Sequence, residues 1–242
     1  MILLRDYNLL FIKARKVAGT SFEIALSKFA SNEDIITPIS SNDEKLRTEK
    51  GFTGPENFEY SNLELYKIGK LRFLSSRYNY KEKRKFYNHI PAEEIRKRLG
   101  PSYFDSLTKI GIVRNPFDSL VSLFYWVKHN GLINNISFQE FIKLKPDFIN
   151  QNSRQILIND QFVLDEAIKY ENFSRDIMAV EKKYALNGLY NSFSTINANS
   201  NTLPKNIDKK NLYADQNLVS TVYFLNENYI KQFGYEKKYL DI

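Results

Sequence analysis

Two short segments about a hundred residues apart constrain this chain more than anything else in it. One is Phe11-Ile12-Lys13-Ala14-Arg15-Lys16-Val17-Ala18-Gly19-Thr20-Ser21-Phe22-Glu23; the other is Ile110-Gly111-Ile112-Val113-Arg114-Asn115-Pro116-Phe117-Asp118-Ser119-Leu120-Val121-Ser122. Each runs from an apolar, strand-length tract through a polar loop into helix-forming sequence. Each loop carries a cation and hydroxyls where a helix is expected to start. There the unpaired amides and the helix dipole favour an anion. Two such corners in one chain imply strands leading into helices and a ligand with two separate phosphate-like groups.

The rest of the chain is read in the same way. Leu9 to Ile12 suits a strand covered on both faces, and a helix is expected from Gly19 to about Phe29. Asp34 to Ile39 reads as a strand. Residues 40 to 60 are polar, contain Gly51, Gly54 and Pro55, and read as loop. Pro91 to Gly100 carries helix signals: acidic Glu93 and Glu94 early, basic Arg96, Lys97 and Arg98 late, and a closing glycine. Leu107 to Val113 reads as a second central strand, followed by a helix over Phe117 to Val127. A short helix is expected at Ser137 to Leu144. Ala167 to Tyr170 reads as a strand before a helix from Asn172 to Ala185. The Ser/Asn-rich stretch 187–201 reads as loop, and Asp215 to Phe233 as mostly helical. Alternating strands and helices give an expected α/β fold in three layers, a central parallel sheet flanked by helices, in one domain over 1–242.

Composition narrows the chemistry. The 242 residues can bury a sizeable core. With no cysteine, disulfides and thiolate metal sites are ruled out, and two histidines, His89 and His129, leave no His-rich metal site. No long apolar run stands at the N-terminus, so neither signal peptide nor membrane anchor is expected, and the cytosol is the simplest compartment. The net charge of +7 fits an anionic ligand, weak nucleic-acid binding or solubility alone.

In the first loop Lys16 precedes Gly19 by three residues, and Thr20 and Ser21 follow. Gly19 is expected to let the backbone approach a ligand, the hydroxyls to donate, and Lys16 to add charge. A Walker loop has its lysine after the last glycine, so this is not one. The plain alternative is an ordinary strand-to-helix turn with a solvated lysine. In the second loop Asn115 suits an N-cap and Pro116 the first helical position. Phe117, Leu120, Val121 and Phe124 form the packing stripe, and Ser122 flanks it. Arg114 and Ser122 can grip one phosphate together; alternatively, Arg114 pairs with Asp118 or another carboxylate, and Ser122 is incidental.

Taken together, the two segments resemble sulfotransferases that use 3′-phosphoadenosine 5′-phosphosulfate (PAPS). Lys16 to Ser21 reads K-V-A-G-T-S against the family's K-[TV]-[AG]-G-T-S. Val113 to Ser122 reads V-R-N-P-F-D-S-L-V-S against V-R-[ND]-P-[FYW]-[DE]-x-L-V-S. His89-Ile90-Pro91-Ala92-Glu93-Glu94-Ile95-Arg96, Tyr170-Glu171-Asn172-Phe173, Leu203-Pro204 and Phe233-Gly234-Tyr235 are similar to further family elements. The likeness runs from about residue 7 to 236 and is weakest over 40–86, a variable and substrate-facing segment by this reading. Arg15 stands where many members have proline, and Ser119 where many have arginine.

The resemblance implies a P-loop NTPase-like sulfotransferase fold and transfer of a sulfuryl group to an acceptor hydroxyl, on a carbohydrate or other small alcohol. It implies that Arg15, Lys16, Val17, Ala18, Gly19, Thr20 and Ser21 hold the 5′ end of the donor, and Arg114 and Ser122 its 3′-phosphate. It makes Lys16 the catalytic cation and needs no metal. His89 is the candidate base, with a structural hydrogen bond at a helix start as its alternative role. Glu171 is expected to orient its neighbours, with action as the base as its alternative role, and His129 to lie on the surface. The basic and aromatic stretch Lys67 to Lys85 suits an acidic acceptor, guidance of the donor, or a solvated face. Two other classes compete: a P-loop-type nucleotide kinase, which shares the phosphate-loop logic, and a basic nucleic-acid-binding module, which leaves both opening segments unexplained.

Overall fold

A computed structural model describes residues 1–69, 83–196, 203–204 and 206–236. Most of the basic stretch 67–85 and the end of 187–201 lie outside the described residues. Among the described residues there are seven strands: β1 (Ile2–Leu4), β2 (Leu9–Ile12), β3 (Ile35–Ile36), β4 (Thr108–Val113), β5 (Leu157–Ile158), β6 (Gln161–Phe162) and β7 (Glu166–Lys169). The helices are α1 (Gly19–Leu26), α2 (Ser41–Glu49), α3 (Asn62–Lys67), α4 (Ala92–Leu99), α5 (Pro101–Ser106), α6 (Pro116–His129), α7 (Phe138–Leu144), α8 (Gln151–Gln155), α9 (Phe173–Lys183), α10 (Leu189–Ser194), α11 (Lys209–Leu212), α12 (Gln216–Leu225) and α13 (Glu227–Gln232).

The main sheet has the order β3-β1-β2-β4-β7. Strands β2, β4 and β7 are parallel, with Phe11 opposite Ile110 and Ile112 opposite Ile168. Strand β1 runs the other way, antiparallel to both its neighbours β2 and β3, so β3 shares the direction of β2, the sheet is mixed and the expected all-parallel sheet is corrected. The cause is local. A tight turn over Arg5–Asn8, with Asn8 at a φ of 50°, folds the first strand back on the second. A four-residue turn permits only an antiparallel neighbour, because a parallel one needs a crossover of a dozen residues or more.

Alternate strand residues serve opposite faces. Leu9 and Phe11 pack with Phe22 of α1, Ile177 of α9 and Leu189 of α10. Leu10 and Ile12 pack with Ile95 of α4, Phe104 of α5 and Tyr229 of α13. Helices therefore cover both faces, and a third cluster joins α6, α7 and α12.

Two further expectations change. Residues 40–60 contain a helix, α2, capped by Ser40, whose hydroxyl accepts from the Asp43 amide. Residues 187–201 contain α10, entered through Gly188 in the left-handed region. The helix expected over 19–29 is α-helical to Leu26 and then tightens into a 3₁₀ turn. The stretch Asp215 to Phe233 is mostly helical as expected, divided at Asn226 into α12 and α13. No described helix is long and apolar enough to cross a membrane.

Candidate anion-binding site

The site forms where β2 and β4 end. Because these strands are parallel neighbours, the loops that follow them emerge side by side. The loop after β2 is tightly wound: Lys16 and Ala18 both take left-handed φ values, 58° and 57°. That conformation is costly for residues with a side chain and turns successive amides toward one side, as in anion-binding nests. After β4, Asn115 caps α6 with its side chain accepting from the Phe117 amide at 3.0 Å, and Pro116 takes the first helical position.

Arg114 joins the two loops. Its Nη1 donates to the Lys16 carbonyl at 2.8 Å across 98 residues of sequence. The guanidinium carbon stands over the Tyr170 ring, 3.9 Å from the centroid, and the buried Nε has no hydrogen-bond partner among the described residues. It makes no ion pair with Asp118, which is held by Lys209 at 2.6 Å. The alternative of an Arg114–Asp118 pair is therefore set aside.

The loops open on a cleft of about 700 Å³. Arg15, Lys16, Ala18, Gly19, Thr20, Ser21, Arg114, Ser122 and His89 all line it. Val17 does not; its side chain is fully buried in the core. Lys16 Nζ stands over the Trp126 ring, 5.2 Å from the centroid. Burial, and then the Arg114 charge, lower the Lys16 pKa to about 8. His89 has its Nδ1 3.2 Å from the Lys13 carbonyl. A carbonyl only accepts, so Nδ1 carries the hydrogen and Nε2 keeps the lone pair. Burial, followed by the charges of Lys13 and Arg15, pushes the His89 pKa down to about 3. Both histidine roles considered from the sequence are compatible with this geometry: one nitrogen makes the structural bond and the other is free to act.

Glu171 is engaged elsewhere. Its carboxylate accepts from the Asn115 amide at 3.1 Å and the Tyr235 hydroxyl at 3.2 Å, which orients the second loop. His129 ends α6 on the surface. Among the described residues no group of three or more His, Asp or Glu side chains could hold a metal.

Comparison with known proteins brings one relation. Over 100 residues, 40% of this chain and 83% of the other, the sequence is 34% identical to an uncharacterized protein of Archaeoglobus fulgidus. The two chains belong to one family. No family model and no solved structure matches.

Several residues at the site were missed by sequence reasoning. Asn152 of α8 accepts from the Arg15 amide and donates to its carbonyl, both at 2.9 Å, as a strand partner would. Nothing in the sequence near Asn152 marks it. Trp126 lies one helical turn beyond Ser122, and that spacing could have flagged it. Ser40, Asn42 and Asp43 enter the cleft wall from α2. The capping pattern of Ser40 with Asp43 was the available signal.

Proposed function

We propose that this chain is a sulfotransferase that moves a sulfuryl group from PAPS to an acceptor hydroxyl, with a carbohydrate or other small alcohol as the acceptor class. One observation carries the reading. Two loops of the required residue types, far apart in sequence, converge on one cleft and are tied by the Arg114–Lys16 hydrogen bond. The residues present fit the donor. A cleft of about 700 Å³ lies in the usual range for a small-molecule site. Its cations are Arg15, Lys16 and Arg114 beside Lys13, and the buried Arg114 Nε is an open donor.

In this reading the bound donor supplies the sulfuryl group. Lys16, with Gly19, Thr20 and Ser21 at the start of α1, holds its 5′ end; Arg114 and Ser122 hold the 3′-phosphate. Lys16 meets the negative charge that grows on the leaving phosphate oxygen, in a fixed and partly desolvated position. The Nε2 lone pair of His89 takes the hydroxyl proton of the acceptor. A ring with so low a pKa is a weak base in the free protein. An anionic ligand offsets the field of Lys13 and Arg15 and makes proton uptake there easier.

A thermal-shift panel followed by an acceptor screen with labelled PAPS tests the proposal. Stabilisation by adenosine 3′,5′-bisphosphate well above that by ATP with Mg²⁺ is expected. A response to ATP–Mg²⁺ alone would favour the kinase class. A response to oligonucleotides alone, steeply salt-dependent, would favour the nucleic-acid class.

A further inference from the structure

Below the cleft lies a set of buried charges that the proposed chemistry does not use. Lys13, the first residue after β2, sends its side chain under the loop. It is 1% exposed, and its Nζ stands 2.7 Å from Oε2 of Glu23, which is fully buried within α1. A Cβ on Gly19 would lie 3.0 Å from Lys13 Cγ and 3.6 Å from Cε, so the lysine stem fills the space this glycine leaves. The other carboxylate oxygen, Oε1, accepts from the Thr37 hydroxyl at 3.1 Å. It also lies 3.3 Å from the Met1 amino group and 4.0 Å from Nη2 of Arg47 on α2. Arg47 has its own partner in Glu44 at 3.1 Å.

A buried ion pair is a poor source of stability. Its desolvation largely offsets its attraction, and an apolar pair of like volume often serves as well or better. What this pair supplies is position. The anion loop starts at Lys13 and ends in the helix that carries Glu23, so the pair closes the loop at its base. The Lys13 carbonyl also holds His89, and the Lys16 carbonyl holds Arg114. Movement of Lys13 would displace both.

We propose that Lys13 and Glu23 form a positioning pair that holds residues 14–19 and the His89 ring in one arrangement without touching the ligand. This rests on the reading of the loop as an anion site, and its main test needs no ligand. Lys13→Met combined with Glu23→Leu replaces the pair by apolar groups of similar size, and Arg47 keeps Glu44. Amide hydrogen exchange in the double variant should speed up about tenfold or more across 14–20 and 88–90, while β4 keeps its protection. Exchange at the wild-type rate in both segments overturns the proposal, as does an equal rise everywhere.

Should the double variant not fold, Glu23→Gln carries the test by the same readout, with the same two outcomes deciding it. A second arm measures binding of adenosine 3′,5′-bisphosphate. Loss of binding in Lys13→Met with full binding in Glu23→Gln makes Lys13 a direct ligand and overturns the pair. Wild-type protein that ignores the bisphosphate sinks the donor assignment alone, and the exchange result still decides the pair.

Discussion

Lys16 and His89 face one cleft, and burial in a cationic setting moves both toward the neutral form. For Lys16 the folded pKa of about 8 lies below the ordinary lysine value of 10.5. The unfolded chain therefore binds that proton more tightly. The penalty on folding is full below pH 8 and fades as pH rises through 10.5. Two outcomes follow. Lys16→Ala should melt no lower than wild type, while turnover falls about 10²- to 10³-fold, the usual cost of losing one such stabiliser. Affinity for an anion should also weaken as pH rises through about 8 in wild type and not in the variant. A folded Lys16→Ala protein with wild-type turnover would refute the assignment. For His89 the sign is read at the acid end. Its folded pKa of about 3 lies below the ordinary 6.5, so the unfolded state takes up the proton first and stability falls as pH drops through that window. Urea unfolding at pH 7 and pH 5 should show a smaller loss for His89→Gln than for wild type; equal losses would mean that the ring is not held neutral.

At the level of elements, the parts that follow apolar periodicity were legible, and those held by polar contacts were not. Strands β2 and β4, helix α6 and its Asn115–Pro116 start lie close to where the sequence puts them. Helix α2 was hidden because its buried anchor is Arg47, fully enclosed, where a pattern search looks for an apolar residue. Strand β1 is three residues long, too short for any period to show. Gly19 was marked by the sequence, but for close approach of a ligand. In the structure, its missing Cβ makes room for the Lys13 stem. Gly19→Ala should therefore act through the loop even without ligand. The added carbon at 3.0 Å must push Lys13 aside, at a cost of about 1–3 kcal/mol as for other overpacked sites. Chemical denaturation measures that cost. A neutral or stabilising result would mean that the lysine stem shifts freely, and would count against a rigid loop base.

Over the whole molecule, the cleft lies at the C-terminal ends of the three parallel strands. Lys16 follows β2, Arg114 follows β4 and Tyr170 follows β7. In sheets of this kind ligands bind beyond the carboxyl ends of the strands. Within the main sheet β1 alone runs against the others and supplies none of these loops, whereas β3, in the direction of β2, leads to Ser40 in the cleft wall; the loops after β2 and β4 carried the readable motifs, and the short reversed strand did not. This division predicts how ligands should act on stability. A ligand with phosphates at both ends would engage the loops after β2 and β4 together, whereas a monophosphate engages one. Adenosine 3′,5′-bisphosphate should therefore stabilise the fold more than either the 3′- or the 5′-monophosphate at equal concentration. At a hundredfold excess over its Kd the gain is about 2.7 kcal/mol. Arg114→Gln should reduce the bisphosphate effect to that of the 5′-monophosphate, and leave the 5′-monophosphate effect nearly unchanged. If the variant instead lowered both effects equally, Arg114 would serve the first loop through its bond to the Lys16 carbonyl, and the cleft would hold one phosphate group where the proposed donor needs two held.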